Sequence, residues 1–140
     1  WLRILLEFYG ELRKHDAALG NYQAELASLP GKYAPPQGCL LLAHDQKQAV
    51  GCVAFQSLGE QICEMKRMFV LPDYQAQGIG FRLVERLLEE ARKAGYQFMR
   101  LDTHPHMQRA AKLYQSMGFY PIKRYNQNPT PGIRFFEKVL

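Results

Sequence analysis

The sequence predicts one domain of mixed α/β class, and three features of the chain carry that expectation. Three apolar runs of strand length follow one another between residues 39 and 70, separated only by turn-like residues. From Gly80 the apolar residues change to helical spacing, and helix-like and strand-like segments alternate from there to the end. Between the two regions a strand passes through a short glycine-containing loop into a helix. At 140 residues and 47% hydrophobic content the chain is long enough to bury one core and short for a second domain, so residues 1–140 read as a single unit.

Leu2, Leu5, Leu6, Tyr9 and Leu12 recur at helical spacing among charged residues, which predicts an amphipathic helix from Trp1 to about Lys14. Asn21 is a suitable cap for a second, short helix through Ser28, ended by Pro30-Gly31 and a loop to Gly38. Cys39 to His44, Ala49 to Ser57 and Ile62 to Val70 then read as an antiparallel meander, with turns at Asp45 to Gln48 and Leu58 to Gln61. After Gly80, the residues Leu83, Val84, Leu87, Leu88, Ala91 and Ala94 form one stripe, and Gly95 is placed to cap the helix they define. Tyr96 to Thr103 reads as a strand and Met107 to Met117 as a helix closed by Gly118. Phe119 to Tyr125 and Ile133 to Val139 are the last strands, joined by Asn126 to Gly132, whose Pro129 and Pro131 exclude regular structure.

Charge narrows the function classes only in part. Lys and Arg number 18 against 13 acidic residues, giving +5, but no run of five basic residues concentrates that charge as a nucleic-acid tail would. The excess fits either a polyanionic small ligand focused into a cleft or plain solubility. Cys39, Cys52 and Cys63 are odd in number and lack metal-ligand spacing, so they are expected to be reduced thiols in a cytoplasmic protein, with no metal site. No apolar run approaches the ~18 residues that span a membrane, and no signal peptide is read. The start at Trp1 rather than Met fits a trimmed or processed piece of a longer product.

The most informative stretch runs from Met68 to Gly80, and its last six residues read Gln-x-x-Gly-x-Gly. Glycines at 78 and 80 let backbone approach a ligand. The first N–H groups of the following helix have no internal acceptors and carry partial positive charge, which suits a pyrophosphate. A glycine-softened turn with no ligand is the competing reading. The Rossmann fingerprint is excluded by Leu83 at its third glycine position and by the preceding meander, and the P-loop by the lack of Gly-Lys-Ser/Thr.

Gln75 to Gly80 resembles the acyl-CoA loop of the GCN5-related N-acetyltransferase (GNAT) superfamily. The strand ending Leu101-Asp102-Thr103, the segment Ala110 to Phe119 and the closing Phe135-Phe136-Glu137-Lys138 follow in the family's order, so the likeness covers roughly residues 39 to 140. It implies an acyl-CoA N-acyltransferase fold, a mixed α+β arrangement whose central, mostly antiparallel sheet is flanked by helices. The implied activity is transfer of an acetyl group from acetyl-CoA, the co-substrate, to a primary amine of a small-molecule or peptide acceptor by direct attack on the thioester. No metal, nucleic acid or membrane is implied, and a homodimer is compatible. The alternative is a non-catalytic acyl-CoA-binding or regulatory module.

By the same resemblance, backbone groups of Met68, Phe69 and Val70 would face the pantetheine arm, one N–H polarising the thioester carbonyl. Gln75, Gln77, Gly78, Ile79, Gly80, Phe81 and Arg82 would surround the pyrophosphate. Glu64, eleven residues before Gln75, stands where some members place a general base, though Lys66 on the same strand face equally predicts an ion pair. Tyr114 stands where a phenol assists the departing thiolate, or else packs as a core tyrosine. Many members carry Asn seven residues before that tyrosine; Met107 here implies a more apolar coenzyme wall. Tyr125 and Asn128, in the proline-stiffened loop, are the candidates for the acceptor side. His104 and His106 flank Pro105 past a strand end and read as exposed loop residues before they read as bases. The family's first strand has no counterpart ahead of the first predicted helix, so either it is trimmed or the sheet starts at Cys39.

Overall fold

The computed structural model describes Gly10 and residues 22–140. The first predicted helix, Gly10 apart, and the proposed cap Asn21 lie outside the described residues. Helix α1 (Tyr22–Ser28) leads through a 3₁₀ turn at Gly31–Tyr33 to the meander β1 (Cys39–Asp45), β2 (Gln48–Gly59) and β3 (Ile62–Val70). Helix α2 (Ile79–Lys93), strand β4 (Phe98–Thr103), helix α3 (Gln108–Ser116) and strands β5 (Tyr120–Ile122) and β6 (Arg134–Val139) follow. The sheet order is β1-β2-β3-β4-β6-β5, antiparallel everywhere except between β3 and β4. Among the described residues no helix is long and apolar enough to cross a membrane.

Local chemistry explains most of the boundaries. Glu60 and Gln61 both take positive φ (51° and 65°), the turn geometry that matches the twist of the β2–β3 hairpin. The predicted stripe of α2 faces the sheet, with Leu83, Val84, Leu87, Leu88 and Ala91 buried against Val53, Phe55, Cys63, Met65, Met99 and Phe136. Gly95, at φ 90°, ends that helix. Its N–H reaches the Arg92 carbonyl and the Tyr96 N–H reaches the Ala91 carbonyl, a Schellman closure that holds Tyr96 out of β4. The predicted strand therefore begins two residues late. The predicted strand from Phe119 to Tyr125 shortens to three residues: the Phe119 N–H is taken by the Tyr114 carbonyl at the end of α3, and pairing with β6 stops at Ile122, beyond which the Arg124 side chain donates to the Asn126 and Asn128 carbonyls.

Two irregularities in β3 position the site. Its parallel pairing with β4 covers only Ile62 to Glu64 opposite Phe98 to Arg100 and stops there, so the two strands part toward their C-terminal ends. One strand neighbour away, Ala54 opposes Lys66 while Cys52 opposes Phe69, so β3 carries an extra residue at a bulge where Arg67 takes φ 57°. The bulge reverses the alternation. Cys63 and Met65 face α2 before it, and Met68 and Val70 face α2 after it. Phe69 then packs in a second small cluster with Tyr22, Leu26, Ala49 and Cys52.

Candidate active site

An apolar cleft of about 360 Å³ opens beside the stretch of β3 that lies beyond its pairing with β4. Met68, Phe69 and Val70 form one wall, Met107, Ala110, Leu113 and Tyr114 another, and the loop residues Gln75, Ala76 and Gly78 with Gly80 and Phe81 close its end. The Gln75 side chain donates to the Val70 carbonyl at 3.0 Å, and the Gln77 side chain to the Asp73 carbonyl at 3.2 Å, so both glutamines brace the loop. Gly78 precedes α2 in the left-handed region (φ 80°), and a Cβ there would meet no atom within 4 Å. Conformation therefore demands glycine at 78, and the space in front of it is open. Gly80 differs: a Cβ would lie 3.0 Å from Met68 Cε and 3.5 Å from Leu113 Cδ2, so this glycine lets the first turn of α2 approach β3 and α3. The first helical bond runs from Arg82 N–H to the Gly78 carbonyl (3.1 Å), which leaves the N–H groups of Ile79, Gly80 and Phe81 without helical acceptors.

Tyr114 lies on α3 beside this cleft, 5% exposed, its ring edge-on to Phe119 at 5.8 Å. Gln77, Ile79 and Arg82 line a separate depression between β1 and α2.

A second, polar basin of about 940 Å³ lies on the sheet face opposite α2, lined from β3 by Glu64, Lys66 and Arg67. Met68, next along the chain, belongs to the apolar cleft, so consecutive residues of one strand line both hollows. Alternation along β4 sends Met99, Leu101 and Thr103 into the core and Arg100 and Asp102 to the basin.

Glu64, 3% exposed, is the hub of the basin floor. Its Oε1 accepts from Gln56 Nε2 at 2.9 Å and pairs with Lys66 Nζ at 3.2 Å, and its Oε2 accepts from the Tyr125 hydroxyl at 2.6 Å and Asn126 Nδ2 at 3.3 Å. The Lys66 ion pair expected from strand spacing is therefore present, and it is one of four contacts. Burial pushes the Tyr125 phenol far up, and the charge and hydrogen bond of Glu64 push it further, so Tyr125 stays a donor. Asn128 donates to Asp102 Oδ2 at 3.2 Å, beside Asn126 at 2.7 Å.

Across the basin, Arg67 donates to Glu25 of α1 through Nε at 2.6 Å and Nη2 at 2.7 Å, and Lys32 adds a contact at 3.1 Å. Burial by itself raises the Glu25 carboxyl, but Arg67 and Lys32 outweigh it and hold it down to about 2.

Residues 2–119 match the sequence profile of the Acetyltransferase (GNAT) family. The chain belongs to that family. This GNAT protein is an acyltransferase, and its relatives are N-acetyltransferases. It is 36% identical over 133 residues to a Schizosaccharomyces pombe protein described as an uncharacterised N-acetyltransferase, covering 94% of this chain and 82% of that one. The fold is shared with an acetyltransferase of Streptococcus agalactiae (TM-score 0.82, 22% identity, 97% and 89% of the two chains). It is shared too with the PaiA N-acetyltransferase of Thermoplasma acidophilum in complex with coenzyme A (TM-score 0.66, 19% identity, 74% and 62%).

Several residues that line the two hollows have no signature in the sequence. Gln56, Asn126 and Asp102 join the Glu64 network only because the β2–β3 register and the return of the 125–132 loop bring them together. His106 and Arg109 line the apolar cleft near its end. His104 and His106 stack at 4.9 Å, and only the second of them faces that cleft.

Proposed function

We propose that the chain transfers the acetyl group of acetyl-CoA to a primary amine of a small-molecule or peptide acceptor, the amine attacking the thioester directly. The observation that carries this reading is the pair of hollows served by β3, one apolar and ending on free helix N–H groups, the other polar and floored by carboxylates. The apolar cleft suits a pantetheine arm, and the open space in front of Gly78 suits the diphosphate. The PaiA protein, of the same fold, is solved with coenzyme A.

Bound acetyl-CoA supplies an activated acyl group and a thiolate leaving group. In this reading the backbone of Met68, Phe69 and Val70 orients the arm, and an N–H of that strand steadies the charge that develops on the carbonyl oxygen. The Tyr114 hydroxyl donates toward the departing sulfur. The acceptor lies in the basin between Tyr125, Asn128 and the carboxylate network. A carboxylate has a purpose there, since an amine with pKa near ~10.4 is almost wholly protonated at neutral pH.

The test is thiol release from acetyl-CoA with benzylamine, putrescine and an alanyl tripeptide, in the parent and in Gly78→Glu. Gly78→Ala serves as control, because it carries the same left-handed strain without the charge. The KM for acetyl-CoA is expected to rise at least tenfold in Gly78→Glu and little in Gly78→Ala. Absence of thiol release together with absence of thermal stabilisation by millimolar coenzyme A would overturn the reading.

A further inference from the structure

We propose that Asp102, rather than Glu64, is the carboxylate that receives the acceptor ammonium group and takes its proton, with Glu64 and Lys66 as positioning residues. The assignment rests on the reading of acetyl transfer to an amine. An ionised carboxylate offers about four acceptor sites. At Glu64 all four are engaged, by Gln56, Lys66, Tyr125 and Asn126, and the residue is buried. An amine reaching Glu64 would have to displace one of these donors and strand it.

Asp102 is arranged differently. Oδ2 accepts from Asn126 at 2.7 Å and Asn128 at 3.2 Å and lies 3.8 Å from Lys66 Nζ. Oδ1 accepts from none of the described residues. No buried side-chain oxygen or nitrogen among them lacks a partner, so Oδ1 is open to the basin that Asp102 lines, its side chain 12% exposed. The loop fixes this orientation, since Asn126 Oδ1 accepts from the Asn128 N–H and Asn128 Oδ1 from the Thr130 N–H, both at 3.0 Å. Position along β4 points the same way. Arg100 is the last residue of that strand to pair with β3, so Asp102 stands two residues into the parting between cleft and basin.

Charge balance favours a cation at Oδ1. Glu64 and Asp102 face a single ammonium, Lys66, while Arg100 is held by Glu137 at 2.7 Å. On the far wall Arg67 and Lys32 share the single carboxylate of Glu25, so that side carries one positive charge in excess. The Glu64–Asp102 side carries one negative charge in excess, where the acceptor would bring one positive charge. In the step, Asp102 takes one proton from the ammonium group and the freed lone pair forms the N–C bond to the thioester carbonyl. The C–S bond breaks with its electrons on sulfur, the sulfur gains a proton, and the nitrogen loses its second proton. The sum is an amide, coenzyme A thiol and one proton released to solvent.

Asp102→Asn tests this, because the amide oxygen can still accept from Asn126 and Asn128 while the amide nitrogen replaces the open oxygen. With the same three amines at pH 7, acceptor kcat/KM is expected to fall on the order of 100-fold, the deficit closing as pH approaches the pKa of the amine. Calorimetric binding of benzylamine to the coenzyme A complex should weaken about tenfold, with Tm and acetyl-CoA KM unchanged. Glu64→Gln should instead lower Tm and lose activity equally at every pH. An Asp102→Asn enzyme within threefold of the parent, or with a pH-independent deficit, overturns the assignment alone. A parent that releases thiol with none of the amines overturns the acetyl-transfer reading as well.

Discussion

Two tyrosines, Tyr114 buried and Tyr125 half-buried, stand on opposite sides of the parted strands, and their surroundings differ. Tyr125 is locked to Glu64 at 2.6 Å and is held as a phenol by burial and by that neighbour's charge. Tyr114 lies on the apolar side, packed against Phe119 and facing the cleft proposed for the coenzyme. A thiol of pKa near ~8.5 and a phenol near ~10 make full proton transfer from tyrosine uphill by about 2 kcal/mol, so in the proposed reaction the part assigned to Tyr114 is chiefly that of a hydrogen-bond donor to the leaving sulfur. Tyr114→Phe keeps the ring and its packing, and kcat is expected to fall between roughly tenfold and a thousandfold with coenzyme affinity and Tm little changed. Parent-like turnover in this variant would leave Tyr114 as a packing residue.

Among the elements, the 123–133 connection shows how a loop becomes the wall of a site. Arg124 donates to the Asn128 carbonyl at 2.7 Å, Asn128 reaches Asp102, and Asn126 bridges Asp102 and Glu64, so the loop is fastened to two strands. Asn128→Ala removes one of these fasteners and the acceptor of the Thr130 N–H. It is expected to raise acceptor KM severalfold and leave acetyl-CoA KM unchanged; the opposite pattern in steady-state kinetics would show that the loop serves the coenzyme. The sequence made this loop visible through Pro129 and Pro131, and made α2 visible through the stripe from Leu83 to Ala91, because both signals are local. The bulge at Arg67 left no such mark, since an ordinary residue there adopts positive φ only under the pull of its neighbours. The parting of β3 from β4 was equally hidden, being a matter of pairing between segments more than thirty residues apart. Hence the glycine turn from Gln75 to Gly80 into α2 was legible, while the open oxygen of Asp102 was not.

At the scale of the whole molecule, the basin has walls from both ends of the described chain, and the far wall hangs on few contacts. The Arg67 bulge projects its guanidinium onto Glu25, joining β3 to α1 across 42 residues of sequence, with the Tyr33 hydroxyl donating to the same carboxylate at 2.9 Å. Because this carboxyl is held at about 2 in the fold against an ordinary 4.5, the folded state binds its proton less readily than the unfolded chain does. Its contribution to stability is therefore complete above pH ~4.5 and is lost as pH falls toward ~2. Glu25→Gln removes the charge that responds to pH while keeping a side chain of similar size. The variant should melt below the parent at pH 7, by an amount that stays constant down to about pH 5 and then shrinks toward zero by about pH 2. Thermal melts of both proteins across that range give the comparison directly. A Tm difference that is absent at pH 7, or that does not narrow on acidification, would show that the Glu25 charge does not hold α1, leaving the task to the packing of Tyr22 and Leu26 and to the Arg67 guanidinium over the Tyr22 ring.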